Sequence, residues 1–522
     1  MFAAFSKLSM RTHFAKPMCW SMLVSTILCA CWIVPAVDIY FRPAYVPDEI
    51  DFQKIAASLK PKAAKHGQLG FIRRQKNLIG YGALYWIAYE NICERCADPL
   101  MAMRAVAFAG MLSLPLGAMV LAARRRSPMA WLAILLWLTT PMAWWTGKLT
   151  GPELISVALA TWGIIAVIEP AGCQRWRRLG GILLGVAIGV KVNAAPMLLF
   201  AMIVAGLGQT VWRERLRVFN QLARWAAVGF CLGNPGFAFN PHNYLRNLAA
   251  VGQQVNWSLD RLRTMFFCDA WLWDGVYCGG LCHFVLALGP LLALGLLLVA
   301  ARTPARVLAG LFAALGCMSL MLLSSETFLG WYWFPIVPLM LLAVVYIPWP
   351  SHRLTALVLA GAGMLIAGWN FAAQQERIAL QLALKKQHVE AVVRQREINQ
   401  RVQRFVDGLQ VKPDRILTYT YFDLPIQADR VRVVRQKYDP KLFQQGTTRV
   451  GLGNNRVVMI ANDSFISAPL TIRNEPILRP RSADNPIGFD ERVRIDEHLT
   501  ALIYRPRQHF KHRAELRRIS LR

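Results

Sequence analysis

Residues 18–37 read Met-Cys-Trp-Ser-Met-Leu-Val-Ser-Thr-Ile-Leu-Cys-Ala-Cys-Trp-Ile-Val-Pro-Ala-Val, twenty positions without a charge. A helix rises about 1.5 Å per residue, so this run covers a bilayer core of roughly 30 Å. Lys7, Arg11 and Lys16 precede it with no acid among them, which assigns that end to the cytoplasm by the positive-inside rule. The run is too long for a typical signal core and ends in Pro35-Ala36-Val37-Asp38, a poor cleavage site, so a retained anchor is expected. Just beyond it lies Val46-Pro47-Asp48-Glu49-Ile50-Asp51-Phe52, with three carboxylates in four positions. Asp48, Glu49 and Asp51 are thereby expected on the far, non-cytoplasmic side.

Composition agrees with a membrane solvent. Of 522 residues 55% are hydrophobic and 17% charged, too apolar for an ordinary soluble protein. The formal charge of +29 suggests nucleic acid, but many basic residues occupy short loops between apolar runs and no zinc-finger spacing or RNA-binding aromatic motif accompanies them. Nucleic acid is rejected as a partner; anionic lipid headgroups are the expected counter-charge. The eleven cysteines are scattered. Cys93, Cys96, Cys268, Cys278 and Cys282 fall in predicted outer segments, where an oxidising compartment permits a disulfide among them. A zinc site there lacks accompanying histidines.

Going outward along the chain, Phe52, Ile55, Ala56 and Leu59 have helical spacing, with lysines opposite, and predict a helix lying along the membrane surface. Further crossings are expected over 100–123, 129–145 and 154–168. Residues 180–208 are too long for one crossing and too short for two ordinary ones. Lys191 sits near their middle, with Asn193 and Pro196 after it, which predicts two short helices meeting at Lys191 on the outer side. Gly181, Gly185 and Gly189 recur every four residues, a spacing for close helix packing rather than for a phosphate cradle. Arg213, Arg215, Arg217 and Arg224 mark an expected cytoplasmic loop, and crossings follow over 226–240, 280–301, 307–323, 332–349 and 354–371. The sum is eleven crossings, which leaves the C-terminus outside.

From Ala372 the composition becomes that of a soluble domain. A long amphipathic helix through Ile378, Leu382, Val389, Val402, Phe405 and Leu409 precedes short β-rich runs near 415–421, 431–435, 456–461 and 501–505. The expected architecture is mainly α: a polytopic membrane helical bundle over residues 1–371 and a small extracytoplasmic α/β domain over 372–522. The chain has no HExxH, Walker loop or G-x-S-x-G elbow, so proteolysis, ATP use and serine hydrolysis have no motif support.

What remains is a carboxylate cluster, an outer-facing lysine and an aromatic-rich surface. Here the sequence resembles the C-type (GT-C) membrane glycosyltransferases, in the branch of the lipid A aminoarabinose and protein O-mannosyltransferases. Pro47-Asp48-Glu49-Ile50-Asp51-Phe52-Gln53-Lys54-Ile55-Ala56 looks like that family's Asp-Glu loop. Ala83-Leu84-Tyr85-Trp86 looks like the end of its Pro-Pro-Leu-Tyr-Trp segment, with the prolines replaced. Arg104 opens the second crossing, Pro152-Glu153 begins the fourth, and Gly185 to Lys191 resembles the glycine-rich run that ends in lysine. Residues 331–338 resemble the late aromatic-proline helix start. The resemblance spans residues 18–371 and leaves the C-terminal domain uncovered.

That resemblance implies an inverting glycosyltransferase on the non-cytoplasmic face of the plasma (inner) membrane, with a polyprenyl-phosphate sugar donor and an envelope lipid, glycan or protein acceptor. It implies Asp48 as general base, Glu49 as a residue orienting the acceptor or holding a divalent metal, and Lys191, helped by Tyr332, as the neutraliser of the donor phosphate. Arg104, Glu153 and Tyr85 are expected as substrate contacts or pairing groups. Removal of Lys191 is expected to spare the fold. A polysaccharide polymerase or ligase would gather its arginines in one outer loop, as Arg261 and Arg263 could. A transporter would show inverted repeats, which are missing from the sequence pattern. An assembly scaffold would not need Asp48 and Lys191 on one face.

Overall fold

The computed structural model describes residues 12–41, 83–96, 99–145, 151–168, 174–239, 241–242, 259–267, 269–271, 277–323, 330–409, 413, 415–419, 432–435, 457–462, 471–472, 475–476, 491–495 and 499–504. The chain divides into two compact units, 1–387 and 388–522.

The first unit is helical. It runs through α1 (Thr12–Tyr40), α2 (Ala83–Arg95), α3 (Pro99–Arg125), α4 (Ala130–Leu138), α5 (Pro152–Ile168), α6 (Gln174–Val190), α7 (Ala195–Gly206) and α8 (Trp212–Gly233). Short helices α9 (Pro235–Phe239), α10 (Leu259–Phe267) and α11 (Leu281–Phe284) follow, with a two-stranded ribbon of β1 (Asp269–Trp271) and β2 (Tyr277–Gly279) between the last two. Then come α12 (Leu288–Ala300), α13 (Ala305–Leu323), α14 (Ile336–Val345) and α15 (Arg353–Asp407), whose C-terminal part belongs to the second unit.

Among the described residues four helical stretches are long and apolar enough to cross a membrane: Pro17–Asp38, Met101–Arg125, Ala305–Leu323 and Arg353–Ala379. Their outer faces are apolar and bare, as Val34, Phe312, Leu357 and Leu365 illustrate. Several of the eleven expected crossings are shorter than a bilayer. At about 1.5 Å per residue, α4 and α14 reach only about 14 and 15 Å. All ten residues of α14 are buried, against α3, α4, α7 and α13. An all-round apolar helix of that length is the core of the bundle. Pro141 turns the chain into a 3₁₀ segment (Pro141–Trp144) after α4, and Val285, Leu286 and Ala287 separate α11 from α12, so the continuous apolar runs of the sequence break up.

Residues 212–224, expected as a loop, form the first half of α8. Arg213, Arg217 and Arg224 fall on one side of the helix, and Val218, Leu222, Ala226, Gly229 and Gly233 are buried at helical spacing on the other. Arg215 lies in line with that stripe, before its first buried residue, and donates its Nε–H to the Gln209 carbonyl at 2.8 Å. That buried stripe meets the glycine repeat of α6. A Cβ on Gly189 would stand 2.7 Å from the Phe230 carbonyl oxygen, and one on Gly233 would stand 2.5 Å from that of Val186. Gly185 and Gly229 are tighter still, against the carbonyls of Ala226 and Ile182. Helix α5 joins the same stack, since a Cβ on Gly180 would lie 2.7 Å from the carbonyl oxygen of Gly163. The repeat is a seam in which backbone meets backbone.

This seam makes a measurable contrast. Gly185→Val should lower the thermal stability of the detergent-solubilised protein, by about 1–3 kcal/mol or more, because the obstacle is a main-chain carbonyl that cannot rotate away. Gly295→Ala and Gly316→Ala, where a Cβ meets nothing within 4 Å, should be neutral or raise stability by up to about 1 kcal/mol through helix propensity. Equal effects at the two kinds of site would remove the seam.

Two helix ends repeat one device. Arg126 and Arg302 both take a left-handed φ of 55° after α3 and α12, and Ser127 and Thr303 then donate N–H bonds back to the Ala122 and Leu298 carbonyls. In each case a proline, Pro128 or Pro304, comes next, shortly before the following helix begins at Ala130 or Ala305. Asn370 of α15 adds a buried polar tie. Its Nδ2 donates to the Thr139 carbonyl at 2.9 Å and its Oδ1 accepts from Ala287 N–H at 2.9 Å, satisfying main-chain groups at the ends of two helices.

The second unit holds a five-stranded sheet in the order β4-β3-β5-β9-β8, made of β3 (Arg415–Tyr419), β4 (Arg432–Arg435), β5 (Val457–Asn462), β8 (Glu491–Arg494) and β9 (Leu499–Tyr504). β3 is parallel to β4 and β5, and β9 is antiparallel to β5 and β8. A further pair, β6 (Thr471–Ile472) and β7 (Glu475–Pro476), stands apart from it. Val402 and Val406, from the end of α15, pack with Ile416, Val458, Ile460 and Ile503.

Candidate functional site

The site is built on the break between α6 and α7. Helix α6 ends at Val190, and Lys191 adopts an extended backbone (φ −149°, ψ 117°) before a one-turn 3₁₀ segment, Val192–Ala194, leads into α7. The extended residue turns the lysine side chain out of the helix path and into the bundle. Its Nζ lies 3.3 Å from Oε1 of Glu153, in the first turn of α5. The Glu153 side chain is fully buried and that of Lys191 nearly so.

Local forces favour this placement. The C-terminal pole of α6 attracts the lysine cation, and the N-terminal pole of α5 attracts the glutamate. Three residues on from Glu153, on the same face of α5, Ser156 donates its Oγ–H to the Ala187 carbonyl at 3.0 Å. That carbonyl also accepts the Lys191 N–H at 2.9 Å. Helix α5 therefore grips the end of α6 at two points, one ionic and one neutral. The glycine seam fixes α6 against α8, so the break cannot slide.

Tyr332, half-buried in the 3₁₀ turn Gly330–Trp333, places its ring 5.7 Å from the Lys191 ammonium. That is within reach of a cation–π attraction. Trp333 anchors the turn by donating its indole N–H to the Met265 carbonyl at 3.1 Å. The site thus draws on three parts of the chain, around residues 153, 191 and 332.

Arg104 is fully buried in the second turn of α3, and its Nη1 lies 3.5 Å from the Tyr40 carbonyl oxygen at the end of α1. Tyr85 is buried in α2 with its ring centroid 6.0 Å from that of Tyr89. Asp48, Glu49 and Asp51 lie outside the described residues, as does the expected surface helix that begins at Phe52. Among the described residues, Arg104, Glu153 and Lys191 are the buried charged side chains. No group of three His, Cys, Asp or Glu that could hold a metal ion occurs among the described residues. Cys96 and Cys282 are free thiols, Cys282 being buried, so neither enters the disulfide that the sequence permitted.

Two residues without an expected role belong to this neighbourhood. Ser156 supplies the second grip on α6. Asn193, two positions beyond Lys191, is 6% exposed, and neither its Oδ1 nor its Nδ2 has a hydrogen-bond partner. An amide two positions after a lysine in an apolar run was the available signal for Asn193.

Chemically, the arrangement is a buried cation, its charge balanced by a carboxylate and flanked by an aromatic ring. Such a cation suits an anionic group that arrives and competes with, or adds to, the glutamate. Comparison with known proteins adds no relative: no family model matches the chain, and no curated protein or solved structure matches it.

Proposed function

We propose that the chain is an integral-membrane glycosyltransferase that moves a sugar from a polyprenyl-phosphate donor to an envelope lipid, polysaccharide or protein. The observation that carries the reading is the buried Lys191–Glu153 pair at a helix break, with Tyr332 beside it. A charge pair held in an apolar bundle marks a functional site by default, and a lipid phosphate is an anion that reaches such a place through the bilayer. The resemblance of residues 47–56, 83–86, 185–191 and 331–338 to the GT-C pattern supplies the reaction class.

In this reading Asp48 takes the proton of the acceptor hydroxyl as it attacks the anomeric carbon. The bond from that carbon to the phosphate oxygen breaks, and the configuration inverts. Lys191 neutralises the departing polyprenyl phosphate, while Glu153 holds the ammonium in place between turnovers. Glu49 orients the acceptor. The proposed topology has the N-terminus in the cytoplasm, Asp48 and Lys191 on the other face of the plasma membrane, and the α/β domain beyond residue 371 outside. Helices too short to span would be buried or re-entrant pieces of the same bundle.

The test is reconstitution. The full chain in proteoliposomes is supplied with undecaprenyl-phosphate sugars and an envelope lipid extract, and both polyprenyl phosphate release and the glycosylated product are followed by mass spectrometry. Coupled appearance of the two is expected. Binding without any turnover across a panel of donors and acceptors would leave a lipid-binding scaffold and overturn the enzyme reading.

A further inference from the structure

Asn193 is an anomaly that the ion pair does not explain. A buried amide that satisfies neither its donor nor its acceptor costs about 1–3 kcal/mol or more. A leucine, with the same branched outline and no polar atom, would avoid that cost. The residue lies in the one-turn segment that directly follows Lys191 and packs between α6 and α5, the helices that end or begin with the ion pair. Asn193 is therefore held at the same break, within one turn of the cation.

The two orphan atoms specify the chemistry of what would satisfy them. A phosphate is an acceptor and would serve Nδ2 alone. A cation would serve Oδ1 alone. A hydroxyl gives and accepts, and a pair of neighbouring hydroxyls serves both ends of one amide. We infer that Asn193 is a specificity-determining residue that binds the hydroxyl groups of the donor's sugar, beside the lysine that binds its phosphate. This inference rests on the lipid-linked donor reading and deepens it. The division of labour is between a charge that recognises the carrier and a neutral amide that recognises the cargo.

The experiment compares Asn193→Leu with wild type, as the full chain in nanodiscs, by equilibrium binding of undecaprenyl phosphate and of its glucose, galactose and mannose esters. Wild type should bind at least one ester more tightly than bare undecaprenyl phosphate, by about 10-fold or more. Asn193→Leu should abolish that preference while binding bare undecaprenyl phosphate as wild type does. Its thermal midpoint without lipid should be unchanged or higher, because an unpaired amide has been removed. A loss of affinity for bare phosphate equal to the loss for esters would assign Asn193 to the phosphate and overturn the inference. So would an ester preference that survives in Asn193→Leu, a wild type with no preference, or a variant that falls in thermal midpoint. A wild type that binds neither phosphate nor ester would overturn the donor reading as well.

Discussion

Lys191→Ala should destabilise the protein by about 3–5 kcal/mol, because it takes the ammonium of a close ion pair away from the fully buried Glu153 carboxylate. This differs from the expectation from the sequence that removing the lysine would spare the fold. Read alone, Lys191 is a cation awaiting a ligand; in the bundle it already has one. The double variant Lys191→Met, Glu153→Leu removes both charges at similar volume. It should recover most of the lost stability, since an apolar pair commonly matches or exceeds a buried ionic one. Thermal unfolding of the purified variants, followed with fluorescence-detected size exclusion, checks both. Donor binding should fail in the single and the double variant alike, which separates the ligand role from the structural one. A Lys191→Ala protein as stable as wild type would mean that the pair contributes nothing to the fold. Lys191→Arg keeps the charge, but its planar fork needs more room than the compact ammonium beside Tyr332, so partial function is expected.

Asp48→Asn should lower transfer by about 10²–10⁴-fold, the usual range for losing a general base. Asparagine keeps the size and loses the proton affinity, so expression and thermal stability should stay near wild type. Glu49→Gln should be damaging to a smaller degree and Asp51→Asn mild. Release of polyprenyl phosphate and formation of product should fall together in Asp48→Asn. Release persisting without product would mean that water still attacks and that Asp48 serves acceptor capture instead. If Asp51→Asn proves the severe variant, the match of residues 47–56 to the GT-C loop is out of register.

Some of this was legible because it depends on local spacing. The four-residue glycine repeat announced a seam, and a lysine in mid-run followed by asparagine and proline announced a break. Helix lengths were not legible in the same way. Hydropathy sees the apolar runs 129–145 and 332–349 as spans. The turns at Pro141 and Trp333 that cut them down depend on partners far along the chain, such as the Met265 carbonyl that accepts the Trp333 indole. In 213–224 the arginines draw the eye to charge, while the better signal is the spacing of Val218, Leu222, Ala226, Gly229 and Gly233, a helix with one buried stripe. The partnership of Glu153 with Lys191 was open to electrostatic reasoning, since two lone opposite charges in apolar segments seek each other. Which carboxylate the lysine takes is a matter of how α5 lies along α6, and that is set by Gly163 and Gly180.

The same pair bears on how the chain is made. Glu153 leaves the ribosome 38 residues ahead of Lys191. At synthesis rates of roughly 5–20 residues per second, that is an interval of about 2–8 s. For those seconds the carboxylate lacks the ammonium it meets in the folded bundle, and in the proposed membrane topology α5 waits with that charge at the insertion machinery. Once Lys191 follows α6, the Glu153–Lys191 pair can form between two helices joined by their glycines. Nascent α5 should therefore dwell at the translocon until α6 emerges. A chain truncated between residues 170 and 190 is expected to be the form that quality control finds and removes.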